Sequence, residues 1–184
     1  MVLLMLLQAA TATAAPAPAA PPATPDWAPV VKIDPATKLG SVSTSVHAAD
    51  GKSRLVVRCD LPKPDIKAAS VQFIPKPPFA KASPRPVTIT PDDGQALGTN
   101  WEFPGGGAYI ANDAVVTTLT VAIAHAKAIK VRAIGTDNVP IDATFAGPGS
   151  ETVIRQVLDA CGYVFGQMPV APPPPPEKPV DPDQ

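Results

Sequence analysis

Residues 128–146 read AIKVRAIGTDNVPIDATFA, and this stretch decides the fold class. Its first seven residues alternate between apolar and charged side chains, and a period of two is typical of a strand with one buried face. The apolar positions are Ile129, Val131 and Ala133, and the charged positions are Lys130 and Arg132. A turn at residues 135–138 precedes a second strand, whose inward positions are Val139, Ile141, Ala143 and Phe145. The stretch therefore predicts an antiparallel hairpin.

A second hairpin is predicted upstream, around the turn signal Asp50-Gly51. Residues 41–48 form a weak strand before the turn, and residues 53–60 form a stronger one after it. The inward positions of the stronger strand are Leu55, Val57 and Cys59. Residues 69–74 and 86–90 are further short strands. Because proline cannot donate to a strand ladder, the prolines around these two strands predict an edge or a long loop. They are Pro75, Pro77, Pro78, Pro84 and Pro86.

Two segments of the chain have helical spacing. Residues 118–127 fit either a strand or a short helix, and their alanines favour the helix. A final helix is expected after Ser150, which would cap it, and before Gly162, which would end it. Its apolar stripe is Val153, Ile154, Val157, Leu158 and Cys161. The predicted fold class is therefore mainly β (α+β): an antiparallel β-sandwich-like sheet with a short helix and a C-terminal helix packed on it.

Proline divides the chain into segments, since 26 of the 184 residues are proline and about half of these lie in the two tails. Residues 1–15 combine a short apolar run with small residues and predict a signal peptide cleaved near Ala14 or Ala15, although no Lys or Arg precedes the run. Residues 16–26 are a proline- and alanine-rich linker, 27–168 a single β-rich domain, and 169–184 a disordered proline-rich tail. The chain is thus predicted to be periplasmic or secreted.

Cys59 and Cys161 are the only cysteines in the sequence. An even number of cysteines in an exported protein indicates a disulfide, and two buried free thiols are the alternative. Both residues lie on inward faces, Cys59 on a strand and Cys161 on the last helix. We therefore expect a bond that fastens this helix to the sheet.

Charge and motif content exclude several function classes. The formal net charge is -1 and no segment is strongly basic, which argues against a nucleic-acid partner. His47 and His125 lack metal-ligand spacing and a carboxylate cluster, and Gly51-Lys52-Ser53 lacks the rest of a phosphate-binding loop. No catalytic, cofactor-binding or metal-binding residue is predicted. The charges that a protein partner would meet point outward from strands, and they are Arg58, Asp60, Lys130 and Arg132.

The run VIRQVLDACGY at residues 153–163, paired with the early strand LVVRCD at residues 55–60, resembles two groups of small exported bacterial proteins. These are the type VI secretion-associated TagO/VasI proteins and the invasion-associated locus B-like proteins. The resemblance implies a β-rich, periplasmic or envelope-associated protein without a known catalytic site.

These observations predict a non-enzymatic binding or structural module of the bacterial cell envelope, without a cofactor and without a membrane span. Its partner would be an envelope protein or a cell-wall component. One alternative is an accessory subunit of a secretion or envelope machine, docked through a sheet edge or the proline tails. The other is a hydrolase with an unrecognised site. The run of five prolines in the tail is either a ligand for an aromatic groove or a plain spacer.

Overall fold

Nine strands and two helices follow one another in residues 26–169, which are the residues that the computed structural model describes. The predicted signal peptide and the proline run of the tail lie outside the described residues. In chain order the elements are β1 (Val30–Ile33), β2 (Gly40–His47), β3 (Ser53–Lys63), β4 (Ile66–Pro75), β5 (Ala82–Pro91), β6 (Leu97–Gly105), β7 (Gly107–Ile110), α1 (Asp113–His125), β8 (Ala128–Ile134), β9 (Pro140–Ala146) and α2 (Thr152–Ala160).

The strands form one antiparallel sheet in the order β1-β2-β3-β4-β7-β6-β5-β8-β9. The last strand of this sheet contacts the segment that follows β2, because Ala48 forms a bridge with Phe145 of β9. The indole of Trp27 also donates to the Ala146 carbonyl at 2.9 Å. The sheet is therefore curled until its ends touch. The predicted mainly β, α+β class is confirmed.

The alternation predicted from the sequence sets the two faces of the sheet. Ile129, Val131 and Ala133 of β8 are buried on what we call the inner face, and their charged neighbours are exposed on the outer face. Val139 is an exception to the prediction, since it is 54% exposed. Its amide bonds to the Asp137 side chain within the turn, and β9 begins only at the next residue.

Both helices pack on the inner face, α1 against β4 and β5 and α2 against β2 and β3. The helical alternative for residues 118–127 is correct, but α1 begins earlier because Asn112 caps it by accepting from the Val115 amide at 3.2 Å. The cap of α2 differs from the prediction. Glu151 occupies the cap position, while the Ser150 hydroxyl accepts from the Thr152 amide at 3.2 Å.

The prediction of an edge or a long loop for the proline-rich segment is correct only in part, because residues 76–81 form a short loop and β5 has neighbours on both sides over its second half. Pro84 and Pro86 lie within β5, which pairs with β6 on one side and β8 on the other. Pairing with β8 covers only Val87 to Pro91, so the first half of β5 has a single neighbour. The two prolines fall in that half, where one side of the strand has no ladder to interrupt.

The predicted disulfide is confirmed: Cys59 and Cys161 are bonded, with their Cα atoms 5.6 Å apart. This separation lies within the range that unstrained bridges require. Cys59 is fully buried on β3, and Cys161 follows directly after α2. The bond thus fastens the last helix to the inner face of the sheet.

Two buried threonines allow a matched test of polarity in the core. The Thr44 hydroxyl has no hydrogen-bond partner within residues 26–169, whereas the equally buried Thr120 donates to the Val116 carbonyl at 2.7 Å. We expect Thr44→Val to raise the free energy of unfolding by about 1 kcal/mol and Thr120→Val to lower it by about 1 kcal/mol. Urea unfolding measures both changes, and shifts of the same sign would contradict the prediction.

Candidate functional site

The four charges predicted for a partner surface form ion pairs in two separate places. The pairs are Arg58–Asp60 at 2.6 Å, Lys130–Asp93 at 2.8 Å and Arg132–Asp142 at 2.7 Å. Hydrogen bonds from Lys130 and Arg132 lower the pKa values of Asp93 and Asp142, respectively. Strands β3 and β8 are not neighbours in the sheet order, and β2 and β9 lie between them where the sheet closes. The structure therefore does not bring the four charges together into one surface.

Each histidine has one carboxylate neighbour that the sequence did not reveal. Nδ1 of His47 lies 3.1 Å from Asp26, and Nε2 of His125 lies 3.9 Å from Glu151. Both partners are more than twenty residues away in sequence, so no local spacing pointed to them. Within residues 26–169, no group of three or more His, Cys, Asp or Glu side chains is placed to hold a metal ion.

A groove of about 580 Å³ lies on the outer face, along the neighbouring strands β4 and β7. We call it the β4–β7 groove. Among the side chains that line it are Asp60, Ser70, Gln72, Ile74, Pro78 and Tyr109. Asp60 is the one member of the predicted partner surface that lines it. The β4–β7 groove is therefore the strongest candidate for a functional site.

The end of the groove is built by two chain segments that are tied together. Phe79, after β4, forms a bridge with Gly106 at the tip of the β6–β7 hairpin, and the Gly106 amide donates to the Phe79 carbonyl at 2.8 Å. This bridge places Pro78 and Pro104 at the groove. Gly107 is needed for close packing of the strands, since a Cβ there would lie 2.8 Å from the Phe73 carbonyl oxygen. The glycine run at residues 105–107 thus shapes the site.

The polar groups of the groove are ordered by neighbours on the same face. Gln72 and Tyr109 are direct cross-strand partners, so their side chains are adjacent. The Gln72 amide donates to the Ser70 hydroxyl at 3.1 Å. Both contacts from Arg58 to Asp60 go to Oδ1, with Nε at 2.7 Å and Nη2 at 2.6 Å. Oδ2 of Asp60 therefore remains able to accept a hydrogen bond from a ligand.

The sequence could not reveal the groove directly, because it depends on pairing between β4 and β7. The signal that was present is the outward row of small and polar residues on β4, namely Ala68, Ser70 and Gln72. Outward residues on strands are usually just solvated, so this row alone does not distinguish a site from an ordinary surface.

Away from the groove, the segment after α2 is held to α1. Tyr163 donates its hydroxyl to Asp113 at 2.5 Å. Burial, and then this hydrogen bond, raise the pKa of Tyr163 to about 12 from an ordinary value of 10.0. The folded state thus holds the phenolic proton more tightly than the unfolded chain does. The resulting stabilisation is complete below the lower of these two values and is lost as pH rises towards the higher.

We therefore expect the urea midpoint of the wild-type protein to fall as pH is raised from 10 to about 12. The Tyr163→Phe variant should lack this part of the decline, because phenylalanine has no proton to lose. Unfolding curves collected at a series of pH values measure the effect. Identical pH dependence in the two proteins would show that the hydrogen bond to Asp113 contributes nothing.

Three further findings bear on the class of protein. The disulfide indicates an oxidising compartment. Neither helix in residues 26–169 combines the length and the apolar character needed to cross a bilayer. Comparison of the chain with protein-family models, with curated proteins and with solved structures finds no match.

Proposed function

We propose that the chain is a periplasmic or secreted, non-enzymatic binding module of the bacterial cell envelope, and that the β4–β7 groove holds its target. The groove carries the proposal, because it is a concave site that joins apolar walls to a few oriented polar groups, as binding sites generally do. The carboxylate in the groove, Asp60, is held by Arg58 and is suited to accepting a hydrogen bond.

Export is supported by three features of the chain. The bond between Cys59 and Cys161 is the kind of cross-link that persists outside the cytosol. The apolar start of the sequence has the form of a signal peptide, and the closing helix resembles those of TagO/VasI and locus B-like proteins. N-terminal sequencing of exported protein should find a chain that begins close to Ala15. A chain that still begins at Met1 would refute this part of the proposal.

A sedimentation experiment tests the binding role. The mature protein is mixed with washed envelope fragments, the fragments are pelleted, and the bound fraction is measured. We expect the wild-type protein to pellet and Tyr109→Ala to remain largely in the supernatant. Gln156→Ala, which alters an exposed residue of α2, is the control and should pellet like the wild type. Equal pelleting of Tyr109→Ala and wild type, or no pelleting of either, would refute the proposal.

A second candidate function, that of an accessory subunit of an envelope machine, is favoured by one observation. Strand β1 lies at the end of the sheet order and pairs with β2 alone among the described strands, and Val31 on it is 64% exposed. Unpaired strand edges accept strands from other proteins. If this edge were the docking site, Val31→Glu would abolish pelleting and Tyr109→Ala would not.

A further inference from the structure

We propose that the ligand of the β4–β7 groove is an uncharged oligosaccharide; this inference rests on the proposed function and names the chemistry of the same site. The first argument is charge. Within residues 26–169, no lysine, arginine or histidine lines the groove, whereas Asp60 does. Glu102 of β6 is the cross-strand neighbour of Tyr109 and is exposed on the same face. Among the lining residues an anionic ligand would meet only the Asp60 carboxylate, whose cationic partner Arg58 is already paired with it, so phosphate and acidic groups are disfavoured.

The second argument is the balance of hydrogen-bonding groups. The side chains that line the groove include acceptors, Asp60 Oδ2 and Gln72 Oε1, and donors, the Gln72 amide and the Tyr109 hydroxyl. A matching ligand must therefore both donate and accept at closely spaced positions. A sugar hydroxyl does both, and each pyranose ring carries several hydroxyls.

The third argument is the apolar part of the lining. Tyr109 is the cross-strand partner of Gln72, and Ile74, Pro78 and Pro104 contribute apolar side chains to the lining. Pyranose rings carry C–H groups on their faces, and these pack against aromatic rings and prolines while the hydroxyls at the ring edge make hydrogen bonds. The volume of about 580 Å³ falls within the range of sites that hold small organic ligands, which suits a short oligosaccharide.

The same inventory disfavours a polyproline segment, including the run at residues 172–176 of this chain. A proline residue has no N–H, so such a segment presents carbonyl acceptors only. Asp60 Oδ2 and Gln72 Oε1 would then be covered without a donor, and burial of an unsatisfied acceptor is costly. A polyproline ligand would use half of the polar groups of the groove and penalise the other half.

Calorimetric titration of the mature protein tests the inference with defined probes. The probes are three neutral trisaccharides (chitotriose, cellotriose and maltotriose) and a synthetic peptide of residues 171–184. We expect at least one trisaccharide to bind and the peptide not to bind. Tyr109→Ala should weaken binding about tenfold, the size typical of truncating an aromatic anchor. Tyr109→Phe should weaken it less, because it retains the ring.

Gln72→Ala tests the polar half of the site and should weaken trisaccharide binding several-fold. Gln156→Ala is its matched control and should have no effect. Circular dichroism and the urea midpoint establish that each variant is folded, and the conservative Tyr109→Phe provides a second route if Tyr109→Ala does not fold. If no trisaccharide binds while pelleting with envelope fragments still depends on Tyr109, the inference is wrong and the proposed function stands. Tyr109-dependent binding of the peptide would likewise overturn it.

Discussion

The double variant Cys59→Ser/Cys161→Ser is expected to unfold with a free energy lower than that of the wild type by about 2 to 5 kcal/mol. The bond joins residues separated by 102 positions, so removing it releases a long loop in the unfolded chain. It also frees α2 from β3. Because α2 covers the inner face near one end of the chain, we expect α2 to detach from the sheet before the whole domain unfolds.

Urea unfolding of the double variant, and of wild type with and without reductant, measures this effect. Native-state hydrogen exchange should show that amides of α2 lose protection before those of β3 when the bond is absent. Reductant added to the double variant is the control and should change nothing. An unchanged urea midpoint on reduction would mean that packing alone holds the helix.

The Phe73→Ala variant should lose about 3 to 5 kcal/mol of stability, the range for deleting a fully buried aromatic side chain. Phe73 has no exposed surface and contacts two other rings, with centroids 6.1 Å from Phe79 and 6.2 Å from Phe145. Its removal leaves a cavity between β4, in the middle of the sheet, and β9, the strand that closes the sheet. Against a total stability of about 5 to 15 kcal/mol, this loss is large.

Phe165→Ala is the matched control for this prediction. Phe165 is half-buried, and the Arg155 guanidinium lies 4.5 Å from its ring centroid. Water can fill most of the space that this half-buried ring leaves. We therefore expect the stability to fall by about 1 kcal/mol or less. Equal urea midpoints for the two variants would mean that the rings around Phe73 collapse into the vacated space.

Local periodicity accounts for how well the hairpin of β8 and β9 could be predicted. Strand β8 spans Ala128–Ile134, the bounds expected from alternation, because one face is buried along its whole length. Strand β5 was missed as an internal strand because proline argues against a ladder wherever it occurs. What the sequence does not show is that the prolines fall in the half of β5 that has one neighbour.

The candidate site was predictable only in fragments, for a different reason. Asp60 was identified as an outward charge, but its relation to Gln72 and Tyr109 depends on β4 pairing with β7. More than thirty residues separate these two strands, and no period within either one encodes which strand will lie beside it. The partners of His47 and His125 were missed on the same grounds, since contacts between distant segments leave no local pattern.

The closure of the sheet at Ala48 and Phe145 has a consequence for the order of folding. Strands β1 to β4 can pair with their neighbours as soon as they are available, because each is joined to the next by a short turn. Neither the bridge to Phe145 nor the packing of α2 can form until the last elements of the domain arrive. When the chain emerges with its N-terminus first, the apolar inner face of β1 to β4 therefore stays uncovered until the last elements follow. Such high contact order slows folding and prolongs the interval in which the nascent domain is vulnerable to aggregation.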